Sequence, residues 1–257
     1  MIISVINLTH GAVSDKDLQE AIRAINRQIS QDFLPYWSFG SQLRLEGKTG
    51  RGKGIDPADM RGDAIIYLRD VVKVKDADGF HDRHFSGIPY GVVFLELSEE
   101  ILKEAWTITL SHEALELTGD PENNLLVQGP HPKKKDKRVF HWFEMCDAVQ
   151  DESYLIDGVP VSNFVLPLYF TASNERGGRN DFLGTVNEDG KTLRSFSINP
   201  GGYIGYFDPE LDDDDTFDAD PRGHKRLVEK GKYGAGRGQR RRESAAHLKL
   251  KVKGAKG

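Results

Sequence analysis

His112, Glu113 and Glu116, in the run Ser111-His112-Glu113-Ala114-Leu115-Glu116, are the residues here best suited to chemistry. On a helix, an i, i+4 spacing sets His112 and Glu116 one above the other on a single face. An imidazole nitrogen and a carboxylate oxygen can then share one divalent cation with little rearrangement. Glu113, rotated by about a quarter turn, can reach a water held by that cation, where a carboxylate acts as general base in hydrolysis. An ionised Glu116 facing a core is costly unless paired or ligated. A buried His–Glu hydrogen bond without metal satisfies the same two side chains.

Other reactive groups carry weaker arguments. His81 and His84 have a spacing that suits a metal or an oxyanion donor, or they are solvated loop histidines. Cys146 with His141 is a poor thiol nucleophile, because Glu144 and Asp147 flank the sulfur and oppose thiolate formation. Gly201-Gly202-Tyr203-Ile204-Gly205-Tyr206 lacks the Lys-Ser/Thr ending of a phosphate loop, so it predicts no nucleotide site. Arg237 to Arg242 predicts only nonspecific, salt-sensitive contact with phosphates.

The elements that must position the His-Glu pair are legible around it. Ser98 reads as an N-cap followed by Glu99 and Glu100, Gly119 as a left-handed stop, and Pro121 as a barrier to continuation. Together they predict a helix from Glu99 to Thr118, roughly 30 Å long. Ile101, Ala105, Ile108, His112 and Leu115 form its inward stripe. Ahead of it, Ile88 to Leu97 is rich in β-formers but contains Pro89, a combination that predicts an edge strand. Leu18, Ile22, Ile25 and Ile29 predict a helix from Asp15 to Ser30 with Ser14 as N-cap. Strands are predicted at Ser41 to Leu45, Ala64 to Leu68 and Val71 to Val74. Hairpins are predicted at Asp157-Gly158 and Asp189-Gly190.

Several stretches read together carry a resemblance. Ser111-His112-Glu113-Ala114-Leu115-Glu116 with Asp120-Pro121, Glu144-Met145-Cys146-Asp147, and Val161-Ser162-Asn163-Phe164-Val165-Leu166-Pro167 resemble a family of metallopeptidase-like, zincin-like proteins. Asp32 to Trp37, Gly79 to Asp82 and Pro89 to Phe94 match the same pattern, so the resemblance covers about Ile22 to Phe170. It implies an α+β, zincin-like fold: a twisted mixed sheet with an edge strand over a long active-site helix, and β-hairpins C-terminal to it. It further implies a Zn2+ peptidase-like hydrolase in which His112, Glu116 and Glu144 hold the metal and Glu113 is the base. Asp147, Asp120 and Glu122 are alternative ligands or supporting groups. The edge strand, at Tyr90, Gly91 and Val92, would align a peptide or protein substrate by backbone hydrogen bonds. One imidazole with two carboxylates cancels the charge of Zn2+, which weakens acidification of its water. The alternative is therefore a non-catalytic member of the fold, serving interaction or assembly, for example in a phage particle.

Composition sets the outer bounds. With 257 residues, 38% of them hydrophobic, the chain can close a proper core, and its single cysteine excludes an intrachain disulfide. No window is long and apolar enough for a membrane span, and the start lacks a signal-peptide pattern, so the expected location is cytoplasmic, or virion-associated if phage-encoded. Residues 222–257 hold 13 Lys/Arg against 2 Asp/Glu, within a net charge of −5. Such a segment binds an anionic partner or folds back on its own acidic domain. The predicted organisation is one domain at 1–208, then the acidic run Asp212 to Asp215 and a flexible basic tail within 209–257.

Overall fold

The computed structural model describes residues 1–46, 62–70, 88–171, 178–186, 190–218 and 220–232. Strands β1 (Ile2–Asn7), β2 (Gln42–Leu45), β3 (Ala64–Arg69) and β4 (Tyr90–Phe94) form a parallel sheet in the order β2-β1-β3-β4. Ile3, Val5, Ile66 and Leu68 project to one face of it, and Ile6, Ile65 and Tyr67 to the other. Both central strands are buried almost end to end, as parallel strands covered on two faces must be.

Helix α1 (Asp15–Arg27) covers the first face with Leu18, Ile22 and Ile25, and the Ser14 hydroxyl accepts from the Asp17 N–H at its start. The expected end at Ser30 is three residues late. Gln28–Phe33 widens into π-type turns that still bury Ile29, and the short α2 (Leu34–Trp37) follows through Pro35. Among the described residues β4 is the outermost strand of this sheet, where Pro89 implied an edge, and only Tyr90–Phe94 of the predicted Ile88–Leu97 is strand.

The central helix, α3 (Trp106–Gly119), is shorter than its caps predicted. Glu96–Ile101 is a separate π-type turn, Lys103 is left-handed (φ 59°), and Ala105 is extended, so regular α-structure starts only at Trp106. The apolar period runs unbroken through this kink, which is why Ile101 and Ala105 look like part of the α3 stripe. Ser98 caps nothing on α3, and its hydroxyl pairs instead with that of Thr109, 2.8 Å away. Gly119 is not the left-handed stop but the last helical residue, and a Cβ there would sit 2.3 Å from Met145 Cε.

A hairpin that packs on α3 and a second sheet follow. β5 (Leu126–Pro130) and β6 (Arg138–Trp142) belong to a second, antiparallel sheet. β7 (Ser153–Ile156) and β8 (Val159–Ser162) form a hairpin, whose Asp157 and Gly158 both have positive φ as its two-residue turn requires. β9 (Tyr203–Asp208) and β10 (Asp213–Asp218) complete the second sheet in the order β10-β9-β6-β5. The chain is thus α+β, but with separate parallel and antiparallel sheets where one mixed sheet was expected. Among the described residues, the flanks of the hairpin expected at Asp189-Gly190 form no ladder. Asp189 lies outside the described residues, Val165–Asp181 is a single bridge, and Leu193 to Ile198 makes no strand.

Order does not end at Pro209. The acidic run forms β10, and α4 (Pro221–Lys232) then folds back onto the domain. Asp214 accepts from the Trp142 indole and Asp215 from the Tyr206 hydroxyl, so two of the run's carboxylates have donors from β6 and β9. The expected 208/209 boundary falls between the paired strands β9 and β10, and of residues 209–257, 219 and 233–257 lie outside the described residues. Among the described residues, no helix is long and apolar enough to cross a membrane.

Candidate metal centre

α3 packs between β4 and the β7–β8 hairpin and is apolar or small around most of its girth. From Thr107 to Gly119 every residue but Thr109 is buried. A helix buried on all sides must satisfy its polar groups internally. Ser111 does so through a relay: its hydroxyl donates to Gln28 Oε1 (2.6 Å) and accepts from the Ser162 N–H (3.1 Å), and Gln28 Nε2 donates to the Ser162 carbonyl (2.7 Å). The relay ties α1's π-type turn, α3 and β8 together one residue before His112, and so fixes the helix rotation that aims the imidazole.

His112 Nε2 lies 3.0 Å from Glu116 Oε1 and 3.3 Å from Asp147 Oδ1, with all three residues buried. Its Nδ1 has no hydrogen-bond partner among the described residues. Metal bonds of about 2.0–2.1 Å in a tetrahedron place ligand atoms about 3.3 Å apart, so these separations fit a single shared ion. Glu116, Glu144 and Asp147 also offer oxygens within 4.8 Å of one another, and His112, Glu113 and Glu116 form a second such group. The buried His, Glu and Asp side chains can therefore hold a metal ion. Asp147 comes from a 3-10 turn (Asp147–Val149), whereas Glu144 sits just after β6. A small recess lined by Trp142, Glu144, Asp147, Tyr169 and Gly205 reaches the carboxylate side of the cluster.

The expected ligands, the base and the edge-strand residues all lie among the described residues. Glu113 is buried beneath the edge strand, where a Cβ added to Gly91 would lie 3.3 Å from its Oε2. Gly91, between Tyr90 and Val92, thus leaves room for the glutamate beneath it. Glu144 joins the carboxylate group, but the direct neighbour of the imidazole is Asp147, the expected alternative. Asp120 and Glu122 are not brought in: the Asp120 carboxylate accepts from the backbone of Asn124 and Leu125, and Glu122 is exposed. Cys146 is wholly buried, and burial, reinforced by the Glu116 and Asp147 charges, pushes its thiol well above the usual range, contrary to a nucleophile's needs. His81, His84 and the Arg237 to Arg242 cluster lie outside the described residues.

The component that sequence reasoning missed is Lys230. It reaches the pocket from α4, donating to Gln150 Oε1 and the Tyr203 hydroxyl at 2.9 Å each, with Nζ 3.4 Å from His112 Nε2 and 3.8 Å from Asp147 Oδ1. A signal did exist. Arg222, Arg226 and Lys230 recur at i, i+4 and i+8, a cationic stripe on one helix face. Arg226 spans Glu104 (2.8 Å) and Asp151 (2.6 Å), and Arg222 also meets Asp151. Arg226 and Lys230 thus turn inward, onto Glu104, Asp151 and the His112 pocket.

The electrostatics follow from this crowding. Burial favours neutral His112, but the Glu116 charge and the hydrogen bonds of Asp147 and Glu116 outweigh both burial and the opposing Lys230, and its pKa is pushed up to about 9. Asp147 is penalised by burial yet held below the usual carboxylate range by Lys230 and His112. Protonated Nε2 donates toward the carboxylates and cannot also accept from Lys230, so Gln150 and Tyr203 are what hold the ammonium. No family model, no curated protein and no solved structure matches the chain.

Proposed function

We propose that this protein is a metal-dependent, peptidase-like hydrolase of zincin type, binding zinc through His112, Glu116 and Asp147 with Glu144 beside them. The observation that carries the reading is the convergence of Glu116 Oε1 and Asp147 Oδ1 on His112 Nε2 at 3.0 and 3.3 Å. Imidazole with carboxylates is a donor set that zinc accepts, as do other first-row divalent ions. A bound cation would supply Lewis-acid activation of water. Glu113, three residues before Glu116 and beneath the edge strand, is the group that takes the proton. β4, the outermost strand of its sheet among the described residues, aligns an extended peptide by backbone hydrogen bonds, with Gly91 giving its main chain close approach to Glu113. Carboxylate ligands leave less positive charge on the metal than an all-histidine set, so slow turnover is expected.

Metal analysis of protein purified without chelators tests the site. One zinc per chain, lost in His112→Ala, is the expected result, and metal-free protein with an unchanged fold rejects it. Glu113→Gln should keep the metal and abolish cleavage of a peptide library. A second reading, a non-catalytic member of the same fold acting in interaction or assembly, is favoured by how closed the site is: His112, Glu113 and Glu116 are at most 2% exposed. Metal retention with no cleavage by the wild type would select it.

A further inference from the structure

We infer that the Lys230 ammonium and a divalent cation are alternative occupants of the pocket between His112, Glu116 and Asp147, so that α4 is a latch which withdraws Lys230 when metal enters. The inference rests on the metal-site reading above. An ion bonded to His112 Nε2 and Asp147 Oδ1 at about 2.0–2.2 Å would lie in the space toward which Nζ reaches. Nζ is 3.4 Å from that nitrogen and 3.8 Å from that oxygen. Lys230, His112 and Asp147 are all at least nine-tenths buried, so repulsion between ion and ammonium would be poorly screened by solvent.

The way out is built into the helix. Lys230 sits in the last turn of α4, two residues before its end, whereas Arg226 anchors the preceding turn on Glu104 and Asp151. Unwinding that last turn, or rotating the long lysine stem, frees the ammonium without detaching the helix. Gln150 and Tyr203 are neutral acceptors that give Nζ a seat beside the carboxylate cluster, to which the Tyr203 hydroxyl is joined through its hydrogen bond with Asp147.

The test titrates zinc chloride into chelator-stripped full-length wild type, Lys230→Met and Lys230→Arg by calorimetry, with circular dichroism as a check of folding. Lys230→Met should bind zinc at least tenfold more tightly than wild type, with Lys230→Arg close to wild type. In parallel, acylation of Lys230 in the wild type, read by mass spectrometry, should rise when zinc is added. Equal affinities with unchanged labelling overturn the latch and leave the metal site standing. No zinc binding by any of the three overturns both. If Lys230→Met does not fold, the labelling decides alone: zinc bound with Lys230 still protected overturns the inference.

Discussion

Replacing Arg226 with Met removes the cation that docks α4 while keeping most of the side chain's volume. The guanidinium is 9% exposed and lies 2.8 Å from Glu104 and 2.6 Å from Asp151. Removing one partner of a fully buried ion pair costs about 3–5 kcal/mol, because the other charge is left without compensation. Here the penalty falls mainly on Glu104, whose side chain is 8% exposed, since Asp151 is 24% exposed and retains Arg222. A loss of about 2–3 kcal/mol follows, equivalent to roughly 5–10 °C in Tm for a chain of this length. The ceiling is the free energy of docking α4, because a helix that can detach limits what its anchor can cost. Urea unfolding followed by circular dichroism measures the global loss, and native-state hydrogen exchange across Pro221–Lys232 measures the local one. Arg222→Met is the control: its side chain is 61% exposed, and screening by solvent should hold its cost below about 1 kcal/mol. Arg226→Met within 0.5 kcal/mol of wild type by both measurements would refute the docking argument.

Other outcomes follow from single contacts. Gly205→Val should be strongly destabilising, by about 3 kcal/mol or more, because a Cβ at that β9 position falls 2.0 Å from the Trp142 ring and the sheet cannot yield; denaturant midpoints near wild type would contradict this. Ser111→Ala strands the Ser162 N–H and Gln28 Oε1 in the core, and equilibrium unfolding should show a loss of about 2–4 kcal/mol with an unchanged m-value. His141 is driven down to about 4 from 6.5, first by burial and then by the nearby His131 and Arg138 charges, against the Pro130 carbonyl contact that favours its proton. The unfolded chain takes up that proton more readily, so its contribution is intact above pH 6.5 and is lost as pH falls toward 4. Wild type should lose about 2 kcal/mol between pH 7 and pH 5 that His141→Gln does not, and parallel pH profiles would sink the assignment.

Local rules carried the reading wherever a feature is a property of a few consecutive residues. Ser14 caps α1, Asp157-Gly158 turns the β7–β8 hairpin, and Pro89 introduces an edge strand, because each depends on backbone preferences that neighbours alone impose. Those rules failed at the start of α3, where periodicity cannot register a kink at Lys103 that preserves the apolar phase. They failed again at β10, where four consecutive aspartates carry no strand pattern until β9 supplies a ladder and β6 an indole.

By itself the sequence determined that His112 and Glu116 share a helix face with Glu113 beside them, because i, i+4 geometry is intrinsic to any helix those residues occupy. Only the tertiary structure decided that Asp147 would be the second oxygen against the imidazole, and that Lys230, 118 positions further along, would bring an ammonium to the same pocket. Their proximity arises from sheet pairing and from the docking of α4 through its cationic stripe. Such long-range contacts leave only the composition of each segment, and not its destination, in the linear chain.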